Sequence, residues 1–255
     1  MEIITSISNK KVKYVKSLHN KKARAAEDAF LVEGIKFVGE IPSSWQVELI
    51  VVPKSFACDN DMSQYGGDIC VVSDHIFPHL CDTTTPQALL AVVKRQSFAI
   101  ADIVCGKNPL VMILENISDP GNLGCILRIA HGLGLSGVIL ANCTDVFAPK
   151  AVRSSAGSIF HVPFAMCPTD RAIAAIRAHN ISLFAASADA EISLYNADFT
   201  APSAIIIGSE ANGISPETLA LSDYKVKIPV LSESLNASVA CGIFAYEASR
   251  QRTMR

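Results

Sequence analysis

The chain has 255 residues, half of them apolar, and a formal net charge of −2 at neutral pH. That is enough for one large domain or two of ordinary size, and no apolar run approaches the ~20 residues of a membrane helix. A charge so near zero argues against indiscriminate binding of polyanions, and the first residues, with Glu2, then Ser6 and Ser8, then Lys10 and Lys11, do not read as a signal peptide.

The charge is unevenly spread. Residues 1–40 carry eight Lys or Arg against five Asp or Glu, and the remainder carries fourteen against nineteen. Residues 9–24 hold Lys10, Lys11, Lys13, Lys16, Lys21, Lys22 and Arg24 and no acid. A basic helix of this kind can neutralise RNA phosphates; taken alone, it reads equally as a solvated helix face. Residues 49–52 and 69–72 then read as strands, and 87–94 as helix or strand. His75, His79 and Cys81 cluster, but Pro78 interrupts any helix that would align the histidines and a fourth ligand is missing, so no metal is expected. The eight cysteines include no Cys-x-x-Cys pair and mostly lie among apolar residues, as reduced thiols of a cytoplasmic protein do. Residues 101–108, with Gly106-Lys107-Asn108 before Pro109, are the expected linker between a domain at 1–100 and another at 109–255.

From residue 110, strands near 110–114, 137–140, 159–163, 181–186, 203–207 and 225–228 alternate with helical segments. That pattern calls for an α/β fold, a mostly parallel sheet with helices on both faces. Three of the strands run into distinctive loops. The first leads into Asn116, then Asp119-Pro120-Gly121-Asn122-Leu123-Gly124 and Arg128, with Leu123, Ile126, Leu127 and Ala130 at helical spacing. Its polar residues sit where a strand's carboxyl end turns into a helix, the usual ligand position in an open α/β sheet. The second leads into Gly208, Glu210 and Gly213, then Ser215-Pro216-Glu217, an N-cap with proline at the first helical position. The third leads through Ile228-Pro229 to Ser234-Leu235-Asn236-Ala237-Ser238-Val239-Ala240 and a final helix. Singly, these residues have plainer roles: an Asn at a helix start is a cap, and Glu210 pairs with some lysine. A dinucleotide site is not indicated, since the Gly-x-Gly-x-x-Gly spacing is absent at 121–124. His131, His161 and His179 have no partner evident in the sequence and read as structural or exposed.

Together and in this order, the three segments resemble the SpoU/TrmH-type RNA ribose 2′-O-methyltransferases of the SPOUT superfamily. That family's first motif is matched by Asn116, Gly121-Asn122-Leu123-Gly124 and Arg128, its second by Gly208, Glu210 and Gly213, and its third by Ile228-Pro229 and residues 234–240. Residues 4–34, with Ile4-Thr5-Ser6, Asn9, Val12-Lys13, Leu18, Arg24 and Phe30-Leu31-Val32-Glu33-Gly34, resemble the substrate-binding domain that precedes the methyltransferase domain in many members.

The resemblance implies a small L30e-like α/β domain followed by a SPOUT domain with a deep trefoil knot near its carboxyl end. It implies S-adenosylmethionine as cofactor, RNA as partner, a homodimer and no membrane. It places catalysis on Arg128, Asn122, Glu210, Ser234 and Asn236, and the cofactor on Gly208, Glu210, Gly213, Ile228, Leu235 and Asn236. Lys10, Lys11, Lys13, Lys21, Lys22 and Arg24 become the RNA-contacting cations. A guanidinium stays protonated near neutrality, so Arg128 is expected to grip a phosphate and orient the acceptor hydroxyl. The separate first domain favours ribosomal RNA over tRNA. A non-catalytic RNA-binding protein of the same fold is the competing class, disfavoured because Arg128 and Asn236 are both present.

Overall fold

The computed structural model describes residues 2–231 and 235–253. Its contacts divide the chain into two units, Met1–Gln96 with Phe147–Phe160, and Ser97–Val146 with His161–Arg255.

The first unit is built on a five-stranded sheet in the order β1 (Ile3–Ile4), β4 (Asp68–Val72), β3 (Val47–Pro53), β5 (Leu90–Lys94), β2 (Ala29–Glu33). β1, β4 and β3 are parallel, while β5 is antiparallel to β3 and to β2. The ambiguity at 87–94 is thereby resolved: Leu90, Ala91, Val92 and Val93 are all buried in β5, and a strand covered on both faces shows no alternation to read. The basic stretch is not one helix but two, α1 (Lys10–Ser17) and α2 (Lys21–Glu27). Asn20 restarts the helix by accepting a hydrogen bond from Lys22 N at 2.8 Å. Val12, Val15 and Leu18 pack α1 onto Leu31, Leu49, Val51 and Val72 of the sheet. Short helices α3 (Ile35–Gly39) and α4 (Lys54–Asp59) come after β2 and β3.

Residues 147–160 complete this unit with α7 (Pro149–Ser154) and a 3-10 turn at Ser158–Phe160. Phe30, Trp45, Phe147 and Phe160 form an aromatic cluster; Trp45 meets Phe160 edge-on at 5.2 Å and donates its indole N–H to the Phe160 carbonyl at 3.2 Å. The strand expected at 159–163 therefore does not form there. Ile159 and Phe160 are drawn into packing, Pro163 has no N–H to give a ladder, and β8 (Phe164–Met166) begins only after it.

The second unit is a seven-stranded sheet in which every pairing is parallel. Its order is β10 (Ile192–Ser193), β12 (Tyr224–Lys227), β9 (Ser182–Ala186), β11 (Ser203–Ile207), β6 (Leu110–Glu115), β7 (Gly137–Ala141), β8. β6 and β11 lie side by side at its centre, and all their residues are buried. From β6 the chain runs outward through β7 to β8, then crosses to β9 and β10 on the other side before β11 fills the place beside β6. Such a reversal opens a crevice at the carboxyl ends of the two strands, where open α/β sheets bind ligands. The expected linker starts inside α5 (Ile100–Val104), whose Ile103 and Val104 join the core with Val111, Ile139 and Ile173. The other helices are α6 (Pro120–Gly132), α8 (Thr169–Ala178), α9 (Pro216–Leu221) and α10 (Ala237–Thr253).

All eight cysteines are free thiols. Burial pushes the Cys143 thiol up to about 11 and that of Cys81 up to about 12, which leaves both protonated and unreactive near neutrality. Among the described residues no helix is long and apolar enough to cross a membrane.

Candidate active site

The crevice is set up by β6 and by α6, the helix it leads into. Asp119 N-caps α6 by accepting from Asn122 N at 2.9 Å, and Pro120 occupies the first helical position, where its missing N–H costs nothing. Asn122 is thus fixed on the first turn of α6, above the end of β6. Its side-chain amide donates to Glu210 Oε1, and its Oδ1 accepts from Asn236 Nδ2 at 3.0 Å. Asn236 in turn holds the start of α10: its Oδ1 accepts from Ser238 N at 2.9 Å, Ser238 Oγ at 2.6 Å and Val239 N at 3.3 Å. Three residues from three separate segments of the sequence therefore share one hydrogen-bonded network.

Glu210 stands on the loop after β11, which folds back on itself. Gly213 N donates to Ser209 O at 2.9 Å, and Gly213 has a φ of +64°. A Cβ on Gly208 would lie 2.1 Å from the Gly213 carbonyl carbon and oxygen, so only glycine fits. Ser215 then N-caps α9 through Thr218 N at 3.3 Å.

Beneath this loop lies a residue that the sequence motifs do not include. Glu115, the last residue of β6, is 3% exposed and accepts from Ser215 N (2.9 Å), Ser215 Oγ (3.1 Å) and Thr218 Oγ1 (2.8 Å). A carboxylate is stable at that depth only with such donors, and here they pin the loop after β11 to the end of β6. The available signal was a single acid closing an otherwise wholly apolar strand.

Next to the network the carboxyl ends of β9, β11 and β12 enclose a cavity of about 570 Å³, within the range of small-molecule sites. Ile207, Leu219, Val226 and Phe244 give it apolar walls, while Asp189, Glu210 and Lys227 bring charge. Gly208, Glu210, Gly213, Ile228 and Leu235, five of the six expected cofactor residues, line it. Asn236 does not; it reaches the site through Asn122. Arg128 is exposed on α6, and among the described residues no hydrogen bond or ion pair holds it. Ser234 lies outside the described residues.

In the first unit, Lys10, Lys11, Lys13, Lys21 and Lys22 are exposed on α1 and α2. Arg24 differs. It is 4% exposed, and its guanidinium donates to the carbonyls of Leu18 (2.8 Å) and His19 (2.9 Å) at the end of α1. Those bonds complete the helix terminus, so Arg24 leaves the basic surface and the five lysines remain.

Comparison with known proteins matches residues 109–246 to the SpoU rRNA Methylase family and residues 9–91 to the MRM3-like substrate binding domain. The chain is 30% identical to the 23S rRNA (guanosine(2553)-2′-O)-methyltransferase RlmP of Bacillus subtilis, over 96% of this chain and 98% of that one. Among solved structures it is similar to an AdoMet-bound rRNA methyltransferase from Sinorhizobium meliloti, with a TM-score of 0.88, 28% identity, and coverage of 98% of this chain and 97% of that one. It is also similar to the SpoU methyltransferase AviRb from Streptomyces viridochromogenes in complex with AdoMet, with a TM-score of 0.87, 27% identity, and coverage of 96% and 98%.

Overpacking a tight site typically costs about 1–3 kcal/mol. Gly208→Ala should therefore weaken S-adenosylmethionine binding roughly tenfold or more, measured by calorimetric titration, with the circular dichroism spectrum retained. Unchanged affinity would show that the closed loop does not shape the cavity.

Proposed function

The chain belongs to the SpoU family of RNA methylases, and from that premise we propose how this molecule transfers a methyl group from S-adenosylmethionine to a ribose 2′-hydroxyl of ribosomal RNA. The observation that carries the proposal is the Asn122–Glu210–Asn236 network on the rim of the 570 Å³ cavity at the carboxyl ends of β9, β11 and β12.

The cavity suits that cofactor: it has apolar walls for an adenine ring and carboxylates, Asp189 and Glu210, for a cation and ribose hydroxyls. Gly208, Gly213, Ile228 and Leu235 would hold the cofactor, with Glu210 facing it. Bound there, S-adenosylmethionine supplies an electrophilic methyl carbon on a sulfonium. The protein's task is to hold the 2′-hydroxyl in line with that carbon. Asn122 and Glu210 fix the edge along which the acceptor enters. Arg128, exposed on the same helix as Asn122, grips the adjoining phosphate with its planar fork and so orients the hydroxyl. Ser234 is assigned to catalysis by its place in the third motif alone, two residues before Asn236 in the sequence.

The N-terminal part of the first unit is read as the RNA substrate-binding domain, an L30e-like fold of about residues 1–100 preceding the SPOUT domain at 109–255, of which residues 147–160 group with the first unit. Support comes from the substrate-binding family match at 9–91 and from six exposed lysines, Lys16 included, on two adjoining helices. A trefoil knot is supported by strand order: β12, last in the chain, sits between β9 and β10 instead of at an edge, so the end of the chain enters an already bordered slot. Eight free thiols support a cytoplasmic location. A homodimer is supported by an exposed apolar groove between α6 and α10, where Tyr195 is 79%, Tyr246 65% and Val239 49% exposed. Light scattering should give twice the chain mass for the wild type and the single mass for Tyr246→Glu; a monomeric wild type would remove the dimer.

Incubation with methyl-labelled S-adenosylmethionine and separate pools of unmodified ribosomal RNA and tRNA tests the proposal. Label is expected in the ribosomal pool as an alkali-resistant 2′-O-methylated dinucleotide. Arg128→Lys should lower kcat about 100-fold while S-adenosylmethionine affinity stays unchanged. Label confined to tRNA would reassign the substrate, and near-normal activity in Arg128→Lys would contradict the role of the planar fork.

A further inference from the structure

The rings of His131 and His161 stack with centroids 4.8 Å apart and planes 18° from parallel, and both residues are exposed. His131 lies on the last turn of α6, three residues beyond Arg128 and thus its neighbour on the helix surface, with roughly 5–6 Å between Cβ atoms. His161 comes from the turn before β8. The apolar pair Cys125 and Ile129 of the α6–α10 groove lies on the other flank of Arg128. Along one exposed face of α6, therefore, a guanidinium is followed by a two-ring heteroaromatic stack.

This arrangement does not fit a shared metal. Near-parallel rings aim their in-plane nitrogens side by side instead of converging on one point, and among the described residues no cluster of three or more metal-ligating side chains occurs. Nor does burial explain it, since both rings face solvent. It does fit unpaired RNA, which proteins hold by stacking splayed bases on aromatic faces while basic side chains take the phosphates. We propose that the His131–His161 stack is a platform for an unpaired nucleobase next to the nucleotide being methylated, reached across the phosphate that Arg128 grips. The inference rests on the reading of this chain as an RNA methylase. It adds a second contact, specific to single-stranded or flipped-out RNA, and it defines which part of the acceptor lies along α6.

Stacking on π-faces tolerates exchange of one aromatic ring for another. The test compares wild type, the His131→Ala/His161→Ala double variant and the His131→Phe/His161→Phe double variant, using an unmodified ribosomal RNA transcript. RNA affinity and methyl transfer are measured together with S-adenosylmethionine affinity. The alanine pair is expected to bind RNA roughly tenfold more weakly, the phenylalanine pair to bind within about twofold of wild type, and cofactor affinity to be equal in all three. Wild-type RNA affinity in the alanine pair would overturn the platform. So would a phenylalanine pair that bound RNA as weakly as the alanine pair, since the imidazoles would then act through charge or hydrogen bonds. Absence of transfer by the wild-type protein would instead overturn the underlying reading of RNA methylation.

Discussion

The side chain of Asn122 has one amide donor group and one acceptor oxygen, and both are committed: the donor to Glu210, the acceptor to Asn236. Because Asn236 Oδ1 is itself occupied by the first turn of α10, its amide has one way to face Asn122. The start of α6, the loop after β11 and the start of α10 are thereby referenced to one another. The polar edge of the site depends on that geometry.

Magnitudes indicate what this network is for. Its members are exposed or half-buried, and hydrogen bonds in such settings contribute only about 0.5–1.5 kcal/mol each to net stability. The fold is held elsewhere. β6 and β11 are fully buried, adjoin along five residue pairs and carry the sheet. The buried Glu115 clamps α9 and the loop after β11 to that sheet with three donors. The surface network orders side chains on a platform that is already rigid, as catalysis by alignment requires.

Much of this was legible in the chain. The apolar runs at 110–114 and 203–207 are long enough, and bounded sharply enough, to announce buried parallel strands, and both form where expected. Gly208 and Gly213 were readable as a backbone constraint, and the polar residues after each strand pointed to the site. Four features could not be read, each for a physical reason. A largely apolar stretch at 159–163, broken only by His161, does not say whether it pairs or packs, and Phe160 packs on Trp45. A basic run does not distinguish a solvated arginine from one that completes a helix terminus, as Arg24 does. Glu115 is one acid at the end of a strand, and its donors come from 100 and 103 residues further along the chain. The stacking of His131 on His161 likewise depends on tertiary placement, which no local pattern encodes.

The central claim is that Asn122 and Asn236 act as one aligned unit, and a double-mutant cycle tests it most directly. Single-turnover methyl transfer to ribosomal RNA would be measured at saturating S-adenosylmethionine for Asn122→Ala, Asn236→Ala and the double variant. Residues that act as a unit are strongly non-additive, so the double variant is expected to be no slower than about the worse single variant. Rate losses that multiply, as for independent sites, would contradict the account.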